Sequence, residues 1–300
     1  MFWPRGHESF PSTPQLVELP DGDKLVVVIS TPPQRRPGGR TVVMVHGLCG
    51  CYGSAYMSRI AGKLYHHGLR VVRVNLRGCG SGVGLARYPY HSGRSEDIRQ
   101  VLQWLAREQP VSPVTLVGFS LGGNIVLKLA GEDGDSPTEG LDSLIAVGAP
   151  IDLDTCSRMI AQPRNRIYER YFVRRLRAQA HEVQSFFPDL PPVNLPRRLT
   201  LRTFDDLYTA PRSGFRDVAD YYARASSGPL IPRTSVPTLL LSSRDDPFIA
   251  PSAFEQLPTM PHVELHLTDN GGHLGFLGFT GSHWGFRWMD QRLIDWIGRR

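Results

Sequence analysis

The chain has 300 residues and a mass of 33.5 kDa, with 41% apolar and 21% charged residues. That is enough apolar surface for a packed core and too much for a disordered chain. Arginine and lysine outnumber the acids by 34 to 28, a surplus too thin to argue for nucleic acid, and no zinc-finger spacing or RNA-binding aromatic motif accompanies it. Almost all of that charge is arginine, since lysine occurs only at 24, 63 and 128. The longest aliphatic run, 25–29, is far short of the ~20 residues of a membrane-spanning helix. No apolar stretch follows Met1 to make a secretory signal. Cys49, Cys51, Cys79 and Cys156 suit neither a disulfide framework nor a zinc site, so a reducing cytoplasm is expected, with no metal and no cofactor.

Taken in chain order, the first element is a hairpin: 15–19, a turn at Pro20, Asp21, Gly22 and Asp23, then 25–29. Short apolar runs follow at 41–45, 71–76, 114–117, 144–147, 238–241 and 263–267. Most are continuous rather than alternating, as strands covered on both faces are. Helix-length segments at 54–67 and 93–107 separate the first three, the rhythm of a mostly parallel sheet flanked by helices. The whole of 1–300 reads as one α/β domain. Its rhythm breaks at 151–233, too long for an ordinary crossover, which is expected to be a helical insertion acting as a lid. One insertion helix is expected near 164–182, with arginines 164, 166, 170, 174, 175 and 177 opposite Ile167, Tyr171, Phe172 and Leu176. Another is expected at 215–225.

The strongest local signal is Gly118-Phe119-Ser120-Leu121-Gly122, between the strand at 114–117 and a helical stretch at 125–130. A serine flanked by glycine two before and two after, on a strand-to-helix turn, is a nucleophile elbow. Chance yields roughly 0.2 such patterns in a chain of this composition, so the flanking strand and helix carry the assignment. A serine hydroxyl needs a base to take its proton and an acid to orient that base. In this architecture the acid and then the histidine follow on loops past later strands. Asp245 and Asp246 stand past 238–241, and His273 stands past 263–267 in Asn270-Gly271-Gly272-His273. His283 is the competing histidine. Pro247 restricts Asp246 to extended backbone, a way to hold that carboxylate in one orientation. Asp245 would then pair with a basic group or with backbone N–H groups of its loop. The loop His46-Gly47-Leu48-Cys49-Gly50 stands where an oxyanion hole needs a backbone donor, Leu48, to act with the N–H of Leu121. His46 reads as a brace and Cys49 as a neighbour of the site. Arg77-Gly78-Cys79-Gly80 reads as a turn rather than a phosphate cradle. Asp97 favours a helix dipole, and Asp205 with Asp206 would hold the insertion to the core.

Together these residues resemble the YheT-type branch of the α/β-hydrolase superfamily over about 15–297. The resemblance rests on the elbow with Gly122-Gly123-Asn124, on His46-Gly47-Leu48 and on Asn75-Leu76-Arg77-Gly78-Cys79-Gly80. Tyr90-His91-Ser92-Gly93, Phe204-Asp205-Asp206, Asp245-Asp246-Pro247-Phe248 and Gly271-Gly272-His273-Leu274-Gly275-Phe276 also carry it. It implies a serine esterase with its catalytic acid at Asp246, and distant mammalian relatives act on phospholipid esters. The expected activity is hydrolysis of small to medium acyl or lipid-like carboxyl esters through an acyl-enzyme on Ser120, with Asp246 and His273 completing the triad. A thioesterase or acyltransferase would use the same triad. The competing class is a non-catalytic scaffold resting on a membrane through the arginines of 164–177. Peripheral membrane contact fits either reading, and no nucleic-acid partner is expected.

Overall fold

The computed structural model describes residues 10–108, 112–279 and 286–300. The hairpin forms as β1 (Thr13–Glu18) against β2 (Lys24–Ser30), antiparallel, with Leu16 opposite Val26. The remaining strands are β3 (Thr41–Val45), β4 (Arg70–Asn75), β5 (Val114–Phe119), β6 (Leu141–Val147), β7 (Thr238–Ser243) and β8 (Val263–Thr268). Their order across the sheet is β1-β2-β4-β3-β5-β6-β7-β8. β2 meets β4 antiparallel, and every pair from β4 to β8 is parallel.

Apolar side chains leave both faces of the sheet in alternation, as the two-residue period of a strand requires. In β3, Val42 and Met44 join one buried layer while Val43 and Val45 join the other. The first layer is closed by α1 (Ala55–His66) and α10 (Trp288–Gly298). The second is closed by α2 (Ser95–Glu108) and α3 (Leu121–Asp133). Strand β8 departs from the expectation of two covered faces. It is the last strand of the sheet, and its residues are half-buried, with Leu265 exposed.

Between β6 and β7 lie α4 (Leu153–Ile160), α5 (Arg166–Phe186), α6 (Leu201–Phe204), α7 (Ala210–Arg212) and α8 (Val218–Ala225). A π-turn, Asp205–Thr209, joins α6 to α7. A short helix, α9 (Ser252–Glu255), follows β7. Helix α5 is turned differently from the expectation. Its buried residues are Val173, Leu176, Ala180 and Val183, while Ile167 and Tyr171 are exposed beside the arginines. Successive residues step 100° around a helix, so Ile167 and Leu176 are half a turn apart and cannot share a face. Asp205 and Asp206 tie the insertion to itself rather than to the core. Asp205 accepts from Thr209 Oγ1 and Tyr222 Oη, and Asp206 accepts the Val218 N–H.

Asn124 on α3 makes the long-range tie. Its Nδ2 donates to the carbonyls of Ser92 and Ala225, and its Oδ1 accepts the Ser227 N–H, all in a fully buried setting. One side chain thereby joins the helix after the elbow to the segment ahead of α2 and to the end of α8.

Candidate active site

Ser120 sits between β5 and α3 with φ 53° and ψ −122°, a backbone state that a side-chain-bearing residue adopts only when its surroundings hold it there. The flanking glycines make the turn possible. A Cβ on Gly118 would lie 2.4 Å from the Gly122 carbonyl oxygen, and one on Gly122 would lie 2.5 Å from that of Val45. Neither position tolerates a side chain, so the hydroxyl is lifted above the carboxyl end of the sheet.

Three expected residues meet there. Ser120 Oγ lies 2.7 Å from His273 Nε2, and His273 Nδ1 lies 2.8 Å from Asp246 Oδ2. A carboxylate only accepts, so the Nδ1 proton donates to Asp246 and Nε2 is left to accept from the serine. The Asp246 side chain is fully buried, and its Oδ1 accepts the N–H groups of Phe248 and Ile249. Phe248 stands edge-on to the His273 ring at 5.0 Å.

Asp245 points elsewhere. Its Oδ1 accepts the N–H groups of Gly271 and Gly272, each at 2.8 Å. These belong to the histidine loop, not to its own as expected. Desolvation raises its pKa, but hydrogen bonds from Gly272, Ser243 and Gly271 more than offset that and hold the carboxyl below its ordinary value. The two adjacent acids thus divide the work on one loop: Asp246 holds the imidazole, and Asp245 holds the backbone that carries it. His283 lies outside the described residues.

The loop after β3 is braced from below. His46 is fully buried, and burial lowers its pKa to about 4 despite its hydrogen bond to Gly47. Nε2 accepts the Leu76 N–H, and Nδ1–H donates to the Gly47 carbonyl, so the ring is neutral with its proton on Nδ1. The Gly47 and Cys49 N–H groups donate to Tyr56 Oη and Tyr90 Oη. The Leu48 N–H between them has no partner among the described residues. Leu121 opens α3, so its N–H precedes the intrahelical ladder. Cys49 is no second nucleophile, since burial pushes its thiol up to about 11.

A buried His46 makes stability acid-sensitive. The unfolded chain binds its proton from about pH 6.5 downward and the native chain only near pH 4. The native state therefore loses up to about 3 kcal/mol across that window as pH falls. In His46→Gln that component is expected to vanish. Urea unfolding of both proteins between neutral and acid pH measures it, and parallel pH curves would refute it.

A profile of the family described as alpha/beta hydrolase fold matches residues 40–280. Over 290 residues the chain is 36% identical to the putative esterase YheT of Escherichia coli (strain K12), covering 94% of this chain and 84% of that one. The chain belongs to the α/β-hydrolase family. Within it, the likeness places the chain in the YheT-type esterase branch, so it is a hydrolase by class. It is also 29% identical to the medium-chain fatty acid ethyl ester synthase/esterase 2 of Saccharomyces cerevisiae, covering 81% of this chain but 59% of that one. Among solved structures, the Pyrococcus furiosus esterase Pf2001 shares the fold, with a TM-score of 0.63 at 17% identity over 100% of this chain and 96% of that one.

In this α/β-hydrolase, Ser120, His273, Leu48 and Leu121 face a cavity of about 100 Å³. Of the insertion's aromatic residues, Phe172, Phe204 and Tyr208 line it, whereas Phe186 is exposed. Sequence reasoning missed His91, Asp205, Tyr221 and Tyr222 on the same wall. They come from separate segments, and only the π-turn brings Asp205 to the cavity. Burial pushes the Asp205 carboxyl up to about 6, only partly countered by Thr209, Tyr222 and Arg202. Burial beside Arg94 and Arg77 lowers the His91 pKa well below its usual value, which keeps the ring neutral. Arg77 is occupied by Asp97, Asp21 and Asp23 at 2.6–2.7 Å. It is therefore no phosphate ligand, and Asp97 serves that pair rather than acting only on the helix dipole. Among the described residues no cluster has the make-up of a metal site, and no helix is long and apolar enough to cross a membrane.

Proposed function

We propose that the protein is a serine carboxyl-ester hydrolase working through an acyl-enzyme. The observation that carries this is the relay from Ser120 Oγ through His273 to Asp246, at 2.7 and 2.8 Å, opening on an apolar cavity. Ser120 Oγ attacks the ester carbonyl carbon while His273 Nε2 takes its proton. Asp246 stabilises the resulting imidazolium and keeps it oriented. The tetrahedral oxyanion accepts from the N–H groups of Leu48 and Leu121. Collapse expels the alcohol, which His273 protonates. Water, deprotonated by His273, then attacks the acyl-enzyme, releases the acid and regenerates Ser120.

The cavity supports a preference for short acyl groups. At about 100 Å³ it is smaller than the roughly 150 Å³ void that admits benzene. Longer chains require α5, which contributes Phe172, Leu176, Ala180 and Val183 to the wall, to move outward. A relative named for medium-chain esters fits a pocket that enlarges in this way. On p-nitrophenyl esters of graded length, kcat/KM is expected to peak at short acyl chains. Leu176→Ala, by enlarging the wall, shifts the peak to longer ones. A fluorophosphonate probe is expected to label Ser120. Absence of labelling on folded protein would favour the non-catalytic scaffold.

A further inference from the structure

Helix α5 has two faces with different tasks. One covers the cavity through Leu176, Ala180 and Val183. The other carries Ile167, 80% exposed, and Tyr171, 47% exposed. At 100° per residue, Ile167 and Tyr171 form the middle of that outer face. Arg170 and Arg174 lie on one side of it and Arg175 on the other, while Arg164 precedes the helix in the turn Pro163–Asn165. All four arginines are exposed, and they form no ion pair among the described residues. The acid of the first turn, Glu169, is turned inward and accepts the Leu201 N–H.

The charge distribution is as uneven as the apolar one. Residues 161–204 hold nine arginines and three acids, a surplus of six, and the whole chain's surplus is also six. The rest of the protein is neutral, and its positive charge resides on the segment that roofs the cavity.

We propose that the outer face of α5 docks on an anionic lipid bilayer, with Ile167 and Tyr171 entering the interface and the flanking arginines contacting lipid phosphates. An apolar ridge between cationic flanks is the pattern of helices that lie in a membrane interface. A nucleic acid would meet the same charges but would leave Ile167 in water. Docking puts the roof of the cavity against the lipid, so an ester leaving the bilayer enters beside Ser120, a use that rests on the esterase reading of that pocket. Tyr168 links the two faces, packing edge-on against Phe248, which packs against His273.

The test is co-sedimentation of the full chain with vesicles of equimolar phosphatidylglycerol and phosphatidylcholine, or of phosphatidylcholine alone. Partition is expected to be at least about tenfold stronger on the anionic vesicles and to weaken with added salt. R170E/R174E is expected to lower it by roughly a hundredfold, and Ile167→Asp to lower it as well. Both should leave hydrolysis of a water-soluble p-nitrophenyl ester, measured without vesicles, unchanged. In Ile167→Trp, indole fluorescence is expected to shift to the blue on anionic vesicles and not on duplex DNA. Equal partition on both vesicle types, or full binding by R170E/R174E, would overturn the proposal. So would binding to DNA with no blue shift on lipid, which would make the face a polyanion surface. Loss of soluble-ester hydrolysis in the unmodified protein would sink the esterase reading alone.

Discussion

Ser120→Ala is expected to lower kcat for a p-nitrophenyl ester by about 10⁴-fold to 10⁶-fold, with KM little changed. With Ser120 as the proposed nucleophile, its removal leaves only binding and the proposed backbone donors of Leu48 and Leu121 to act on the ester, and serine hydrolases lose rate on that scale when a triad member is deleted. The fold is expected to persist. The turn is held by the close approach of Gly118 and Gly122 to neighbouring carbonyls and by the hydrogen bond from the Ser120 N–H to Val147, none of which involves the hydroxyl. Alanine inherits the same strained φ of 53°, so the melting temperature should stay near that of the parent. Steady-state kinetics beside thermal unfolding separate the two effects. A variant hydrolysing esters at the parental rate would end the assignment of Ser120 as nucleophile.

Asp246→Asn is expected to lower kcat by roughly 10⁴, and the hydrogen-bond pattern explains why. Asp246 Oδ1 accepts two backbone N–H groups, of Phe248 and Ile249, so an asparagine must leave its oxygen there and turn its NH₂ toward His273. Nδ1 must then accept, which moves the imidazole proton to Nε2, and Nε2 can no longer take the serine proton. Asp245→Asn can still accept from Gly271 and Gly272 through its oxygen, so its kcat should fall less than about tenfold. Collapse in Asp245→Asn with near-parental rates in Asp246→Asn would exchange the two roles.

Much of the frame was legible before any fold was known. Most strands from β3 to β7 announced themselves as largely unbroken apolar runs, β4 with Arg73 being the exception, because a parallel sheet covered on both faces has no polar side to betray its period. The elbow was legible because its geometry demands glycine at 118 and 122. Helix α5 was misread because arginines surround it. With Ile167 half a turn and Tyr171 about 140° from Leu176, the pattern offers two apolar stripes, and spacing cannot say which one the core takes.

The sequence by itself determined the order of strands, elbow, acid and histidine, and it placed Ser120, Asp246 and His273 on loops at one end of the strands. That much follows from local rules, since strand period, turn chemistry and the position of Pro247 act over a few residues. The tertiary structure brings Asp246, the aspartate that Pro247 favours, to His273, and it alone sends Asp245 to the Gly271 and Gly272 N–H groups, since that depends on how the loop after β7 docks on the loop after β8. It also decided the far wall of the cavity, where His91, Asp205, Tyr221 and Tyr222 converge from separate segments. Contacts between distant segments are set by packing of the whole chain, and no spacing along the sequence records them.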